Sequence, residues 1–279
     1  MDDLGTYAEN TWCPGCGNFG ILNAFKKAVQ ALEEKGIGRE KIIISAGIGC
    51  HGKIFDYLNL SGLYSIHGRS MATVQGIKIA NPDLKVVAFA GDGDAFGEGI
   101  AHMMFAAKRN ADITVIVHDN GVYGLTTGQF TPTSDKGFIG PSTPRGSIEE
   151  PFNPLTLMLE AKATFVARGY PVKLKHLSGI LAQAIEHEGF SFVDVLQPCV
   201  SFNNTYQRFN QLVEILDHVP QSYEEAMKVA KRVDKLPLGI IYKEDKPTFH
   251  KALFEDWNPV SKRISKEERL KKVEMLVKP

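Results

Sequence analysis

Residues 84–128 read LKVVAFAGDGDAFGEGIAHMMFAAKRNADITVIVHDNGVYGLTTG. Val86 to Ala90 is an apolar run of the length a buried parallel strand needs. Gly91-Asp92-Gly93-Asp94 is too polar and too glycine-rich to continue it. Ala101 to Arg109 follows, with Met104, Phe105 and Lys108 at helical spacings. A second apolar run, Ile113 to Val117, ends at His118-Asp119-Asn120-Gly121. Strand, helix and strand at this spacing make a βαβ unit, so two parallel strands deliver Asp92 and Asn120 to one sheet edge. Ligands of α/β sheets bind at that edge, beyond the carboxyl ends of the strands. The expected fold class is α/β, a mostly parallel sheet with helices on both faces.

Residue type says what that edge can hold. Asp92 offers a hard carboxylate oxygen and Asn120 an amide oxygen. The backbone carbonyl of Val122 is the best placed third donor. Three protein oxygens completed by phosphate oxygens suit octahedral Mg²⁺. Gly91 and Gly93 let the backbone approach a phosphate, and the helix that follows turns its N-terminus toward it. A lone GDG is more often a tight turn, and so is a lone DNG. The two at the ends of adjacent strands point to a metal–diphosphate site instead.

A chain of 279 residues with 43% hydrophobic and 23% charged residues buries an ordinary soluble core. It reads as a single domain over 1–279, with a Cys-x-x-Cys loop near its start and a charged tail from about 245 to 279. With 32 basic and 32 acidic residues the net charge is zero, which argues against nucleic acid as a partner. MDDLGTYAENTWC is acidic and lacks the apolar core of a signal peptide. No apolar run reaches membrane-spanning length. The expected location is the cytoplasm, where thiols stay reduced.

In chain order, residues 1–12 are polar and extended, with Tyr7 and Trp12 as anchors. After CPGCG, Asn18 is placed to cap a helix whose apolar face is Ile21, Leu22, Phe25, Val29 and Leu32, ended by Gly36. Lys41 to Ala46 is a β-branched strand feeding the loop 47–53. Leu63 to Ile66 is a short apolar segment before His67-Gly68-Arg69. A helix over 70–80 stops at Asn81-Pro82. Residues 126–153, rich in Thr, Pro, Gly and Ser, read as a long functional loop or partner-binding segment. The α/β pattern resumes with helices near 154–161 and 174–187 and strands at 164–167 and 190–196. The C-terminal third carries a helix at 222–234, a short strand at 239–242 and a solvated charged tail from Ser261.

The four cysteines stand at 13, 16, 50 and 199. Cys-x-x-Cys in a glycine-bearing loop points two sulfurs at one centre. Cys50 and Cys199 each lie just past an apolar strand, hence near the same edge. Four thiolates hold zinc or a [4Fe–4S] cluster equally well by spacing alone, though a zinc ribbon would carry a second Cys-x-x-Cys. Gly47-x-Gly49-x-x-Gly52 after a strand also fits a dinucleotide fingerprint. That fingerprint wants an acidic residue about twenty positions on, and residues 64–69, YSIHGR, contain none.

GDG followed by helix, strand and terminal Asn resembles the thiamine-diphosphate enzymes. That motif often closes with two asparagines; here it is Asp119-Asn120, and the metal-ligating second position is kept. The fuller string GDGDAFGEG…NADITVIVHDNGVYGLTTGQ, together with CPGCG, GIGC and DVLQPC, resembles the β subunit of 2-oxoacid:ferredoxin oxidoreductases over most of the chain. The resemblance implies the thiamine-diphosphate-binding fold. It implies Mg²⁺ on Asp92, Asn120 and Val122, and cofactor contacts from Ile48, Gly49, Cys50, His51, His67, Gly91, Gly93, Asp94, Gly124 and Leu125. It also implies one [4Fe–4S] cluster on Cys13, Cys16, Cys50 and Cys199, and a substrate side formed by Lys53, Leu125 and Thr127.

The implied activity is coenzyme A-dependent oxidative decarboxylation of a 2-oxoacid, with 2-oxoglutarate favoured and pyruvate a second candidate, or the reverse carboxylation. Electrons would leave through the cluster to ferredoxin. No activating carboxylate is assignable in this chain. In the family that Glu comes from a partner, an α or fused α–γ subunit, so the chain is expected to be inactive alone. Two other readings stay open at this stage: a thiamine-diphosphate decarboxylase with idle cysteines, and a non-catalytic iron–sulfur subunit.

Overall fold

The computed structural model describes residues 4–254, 258–261 and 264–277. Parts of the expected N-terminal segment (1–3) and of the tail (255–257, 262–263, 278–279) lie outside the described residues. Strands β1 (Ile42–Ala46), β2 (Ser61–Tyr64), β3 (Lys85–Gly91), β4 (Thr114–Asp119), β5 (Phe165–Gly169), β6 (Ser191–Leu196), β7 (Val213–Ile215) and β8 (Leu236–Lys243) form one sheet. Their order is β2-β1-β3-β4-β6-β5-β8-β7. Every pairing is parallel except β5 with β8. Helices are α1 (Asn18–Glu34), α2 (Ser70–Ala80), α3 (Ile100–Lys108), α4 (Pro154–Glu160), α5 (Leu174–Glu186), α6 (Tyr206–Leu212), α7 (Tyr223–Ala230), α8 (Phe249–Phe254) and α9 (Lys266–Val277).

The central strands are apolar on both faces, and the period of two sorts their side chains into two cores. Val87 and Phe89 pack with Ile44, Ile116 and Val193 against Phe25 of α1 and Leu181 of α5. Val86, Ala88 and Ala90 pack with Val115 and Phe192 against Met71 of α2, Met103 of α3 and Leu155 of α4. Helices therefore cover both faces, as the sequence implied. Turn chemistry sets the helix ends. Gly36, at φ +87°, closes α1 with its own N–H on Glu33 and that of Ile37 on Leu32. Asn153 caps α4 by accepting from the N–H groups of Leu155 and Thr156, with Pro154 in the first turn.

Several expectations are corrected. Asn18 does not cap α1; Gly17 occupies the cap, and the Asn18 side chain is buried with its Oδ1 2.8 Å from His118 Nδ1. Residues 50–57 wind into a 3₁₀ helix instead of remaining loop. The turn after Asp92 is a π turn, Gly93–Glu98, and α3 follows at Ile100, within one residue of the expected start at Ala101. The short apolar segment at 63–66 overlaps the end of a strand, β2, which runs over Ser61–Tyr64. The helix over 222–234 is shorter, and α6 and β7 were not anticipated. In the tail, α9 is exposed along its described side chains.

Candidate functional site

The carboxyl ends of β3 and β4 are neighbours, with Gly91 opposite His118. This brings Asp92 and the 119–122 turn together. Asp92 is 2% exposed, and among the described residues no ion pair involves it. Its Oδ2 accepts from Thr131 Oγ1 at 2.5 Å and from Thr133 Oγ1 at 2.7 Å. Burial pushes its carboxyl up, while those hydroxyls and backbone N–H groups of Asn120 and Asp92 pull it back. A buried, hydrogen-bonded carboxylate without a countercharge is a fitting ligand for a hard divalent cation. Asn120 is oriented too: Oδ1 accepts from the Val122 N–H at 3.0 Å and Nδ2 donates to Gln197 Oε1 at 2.8 Å. Val122 is buried beside them.

Asp119, the departure from the paired asparagines, supports Asp92. Thr133 Oγ1 also lies 2.8 Å from Asp119 Oδ1, yet a hydroxyl has one hydrogen to give. Burial first, then Asp194 and Asp92, push the Asp119 carboxyl well above the carboxylate range. Thr133 thus stands between the two carboxylates, its one hydrogen shared between Asp92 and Asp119. Asp194, whose charge adds to that rise, is paired on its other side, its Oδ2 accepting from Arg168 Nε at 2.7 Å.

A cleft opens above these groups. From the 48–51 turn it is lined by Ile48, Gly49, Cys50 and His51, and from β3 and its π turn by Gly91, Asp92, Gly93 and Asp94. The β4 side adds His118, Asn120, Val122 and Tyr123, then Gly124, Leu125 and Thr126, with His67 at the rim. Asp94 ties the rim together. Its Oδ1 accepts from Gly68 N–H at 2.7 Å and Ile48 N–H at 3.3 Å and lies 2.9 Å from His67 Nδ1. Burial raises its carboxyl to about 6 against those pulls. Gly47 is required here, because an added Cβ would overlap the Asp94 carboxylate. Burial holds His51 and His118 neutral, His118 down to about 3. The Nε2 of each is buried without a hydrogen-bond partner.

A second cavity adjoins the first. All four cysteines line it, with Trp12, Lys53 and Gln197, and all four are free thiols. Burial, less a backbone N–H at Asn18, raises Cys16 to about 11, with the other three cysteines adding to the rise. Ser201 Oγ donates to Cys13 Sγ at 3.2 Å, and Gln197 Nε2 to Cys16 Sγ at 3.6 Å. Trp12 Nε1 donates to the Cys50 carbonyl at 2.7 Å and fixes that turn. Among the described residues, no three His, Cys, Asp or Glu side chains are gathered as ligands of one metal ion. Cys50, Asn120 and Gly124 line both cavities.

Every expected cofactor and metal residue therefore lies on one of two adjoining cavities. The substrate set divides. Leu125 is on the cleft. Lys53 is on the cysteine side, its Nζ donating to the Thr11 carbonyl at 3.3 Å. Thr127, at φ 76°, is exposed one residue beyond the cleft lining. Sequence reading missed Thr131, Thr133, Gln197 and the linings His118 and Tyr123. His118, Tyr123 and Gln197 stand inside the strings HDNG, GVYGLTTGQ and DVLQPC, whereas Thr131 and Thr133 carried no local signal. Two roomier concavities, about 740 Å³ between α5 and β8 and about 890 Å³ around Lys35 and Lys251, share no residue with this site.

Comparison with known proteins matches residues 47–195 to the family described as thiamine pyrophosphate enzyme, C-terminal TPP binding domain. Residues 199–255 match the family described as the C-terminal part of the pyruvate ferredoxin oxidoreductase beta subunit. The chain is 40% identical to a 2-oxoacid:ferredoxin oxidoreductase subunit beta from a Sulfolobus species, covering 94% of this chain and 93% of that one. It is 35% identical to the 2-oxoglutarate synthase subunit KorB of Archaeoglobus fulgidus, covering 88% and 86%. Among solved structures it resembles 2-oxoglutarate:ferredoxin oxidoreductase from Magnetococcus marinus, which has 2-oxoglutarate, coenzyme A and succinyl-CoA bound. That likeness has a TM-score of 0.90 at 36% identity and covers 99% of this chain and 95% of that one.

Proposed function

The chain belongs to the 2-oxoacid:ferredoxin oxidoreductase β subunits, and from that premise we propose that it oxidatively decarboxylates a 2-oxoacid, 2-oxoglutarate before pyruvate, with coenzyme A as acyl acceptor and ferredoxin as electron acceptor. The same parts run the reverse carboxylation. The observation that carries this reading is the shared wall. A carboxylate–amide cleft and a four-thiol cavity meet at Cys50, Asn120 and Gly124. A reaction that releases two electrons at a carbon centre and exports them singly needs its two centres this close.

Thiamine diphosphate, when bound, supplies the electron-sink chemistry, and the protein supplies binding, orientation and electrostatics. Asp92, Asn120 and the Val122 carbonyl would hold its Mg²⁺. Gly91 and Gly93 would leave room for its phosphates, and the 48–51 turn, with Gly124 and Leu125, would flank its ring. The unpartnered Nε2 atoms of His51 and His118 offer neutral imidazoles to the bound group. Asp94 holds the 47–48 and 67–68 turns in register around it. Cys13, Cys16, Cys50 and Cys199 would hold one [4Fe–4S] cluster. Four thiols lining one cavity, without the second Cys-x-x-Cys of a zinc ribbon, suit a cluster better than a zinc ion.

Within this reading the activating carboxylate comes from an α-type partner subunit, and Lys53, Leu125 and Thr127 form the substrate side. Four free thiols support a cytoplasmic setting, and no described helix is long and apolar enough to cross a membrane. Co-expression with the α subunit and anaerobic purification tests the reading. The expected complex carries about four irons per β chain, with magnesium and thiamine diphosphate, and oxidises 2-oxoglutarate, whereas the β chain alone does not. Zinc in place of iron, or a complex without thiamine diphosphate, would refute it.

A further inference from the structure

Gln197 stands between the two cavities. It follows β6, its backbone N–H held by the Asp119 carbonyl at 2.7 Å, and it is 1% exposed. All of its amide is used. Oε1 accepts from Asn120 Nδ2 at 2.8 Å, and Nε2 donates to the Pro198 carbonyl at 2.6 Å and to Cys16 Sγ at 3.6 Å. The direction is not reversible. The Pro198 carbonyl only accepts, so the atom facing it and Cys16 is the nitrogen. Asn120 Oδ1 accepts from the Val122 N–H, so the Asn120 nitrogen is the one facing Gln197. One directed path runs from Asn120 through Gln197 to Cys16.

Its two ends do different work. At Asn120, Gln197 fixes the amide with Oδ1 turned toward the cleft, as outer partners of metal ligands do. At Cys16, an N–H donor to a cluster sulfur stabilises the reduced, more negative state and so raises its potential. A cation on Asn120 Oδ1 polarises that amide and makes its N–H a stronger donor, and hydrogen bonds in a chain strengthen one another.

We propose that Gln197 is a positioning residue that couples the Asn120 metal site to the Cys16 cluster site, so that loading Mg²⁺ and thiamine diphosphate raises the reduction potential of the cluster. This readies the electron acceptor only when the donor site is filled. It rests on the magnesium and cluster assignments above.

The test is an EPR-monitored redox titration of the anaerobic α–β complex, with and without Mg²⁺ and thiamine diphosphate. In the wild type, loading shifts the midpoint potential upward. In Gln197→Met the unloaded potential is lower, the loading shift is lost, and Mg²⁺–thiamine diphosphate binding weakens roughly tenfold or more. A Gln197→Glu side chain, kept protonated by burial, still accepts from Asn120 and spends its one hydrogen on the Pro198 carbonyl, leaving none for Cys16, so it retains cofactor affinity and loses the shift. A wild type whose potential ignores loading overturns the proposal, whether or not the Met variant assembles. So does a Met variant with the wild-type potential and shift. A wild-type complex without iron would instead refute the underlying assignments.

Discussion

The two edges of the sheet are built from the same kinds of residue and end in opposite states. At the amino edge every buried polar group in the 110–112, 164 and 187–191 cluster has its partner. Asn110 donates to the carbonyls of Lys246 and Pro247 and accepts from Thr164 and Phe190. Lys78 pairs with Asp112 at 2.6 Å and donates to the carbonyls of Pro82 and Leu84. At the carboxyl edge, His51 Nε2, His118 Nε2, Asp94 Oδ2 and Asn18 Nδ2 are buried without a hydrogen bond, His51 Nε2 lying 3.6 Å from Asp94 Oδ2. Buried polar groups cost free energy unless bonded. The amino edge is therefore complete as folded, and the carboxyl edge keeps hydrogen-bonding capacity that a ligand could use. A buried polar cluster becomes evidence of function through its deficit, not through its polarity.

The largest effect should come from removing the carboxylate at the incomplete edge. Asp92→Ala is expected to abolish retention of Mg²⁺ and thiamine diphosphate in the α–β complex. The Thr131 and Thr133 hydroxyls would then face empty space while the cores of both faces stay intact. Gel filtration followed by cofactor analysis reads this directly. Near-normal thiamine diphosphate content would mean that the metal sits elsewhere.

The matching substitution at the complete edge should do the reverse. Lys78→Met leaves Asp112 buried with a single N–H, that of Gly189 at 3.0 Å. Removing one member of a buried pair costs about 3–5 kcal/mol. Urea unfolding should show that loss with iron and thiamine diphosphate contents unchanged. A variant as stable as the parent, or one that loses cofactor, would erase the distinction between the edges.

How much of this contrast could be read from sequence depends on range. Asp92 and Asn120 were legible because each ends an apolar run and the βαβ rule makes the runs neighbours. Cys50 and Cys199 were legible by the same argument, and Cys13 and Cys16 by their Cys-x-x-Cys spacing. Thr131 and Thr133 were not. They lie in a threonine-rich stretch where nothing local singles them out, and they matter only because residues 131–134 fold back beneath Asp92. Gln197 looked like punctuation before a cysteine; its role exists only once β6 lies beside β4. The antiparallel course of β8 was hidden because a short apolar run does not encode direction.

Lys53 tests a finer boundary, that between cleft and cysteine cavity. Its Nζ reaches the Thr11 carbonyl and not the cleft lining. If it nevertheless recognises the distal carboxylate of 2-oxoglutarate, Lys53→Ala loses a charged hydrogen bond worth about 1.5–3 kcal/mol. That is about one to two decades in kcat/KM for 2-oxoglutarate, with pyruvate little changed. Equal losses on both substrates would assign Lys53 to the thiol cavity, where burial raises the Cys50 thiol and the Lys53 charge partly offsets that rise.

The smallest effect separates the edges by proton. His187, at the complete edge, is 6% exposed with Nε2 2.9 Å from Thr164 Oγ1. Burial first, then Lys243, lowers its pKa below the ordinary 6.5. The unfolded chain takes up a proton near 6.5, and the folded chain resists until lower pH. Between those two values the unfolded state binds more protons, so stability is full above 6.5 and falls as pH drops through the window. One such group contributes a slope of up to about 1.36 kcal/mol per pH unit. Cofactor cannot relieve it, because His187 is at the far edge. His51 and His118 differ: burial keeps them neutral, and a ligand bound at their Nε2 atoms would add its binding free energy to the fold. Urea melts between pH 7 and 5 should therefore show a shallower acid limb for His187→Gln, by the same amount with and without Mg²⁺ and thiamine diphosphate. A His187→Gln difference that vanishes on loading would mean the two edges are coupled through the sheet rather than independent.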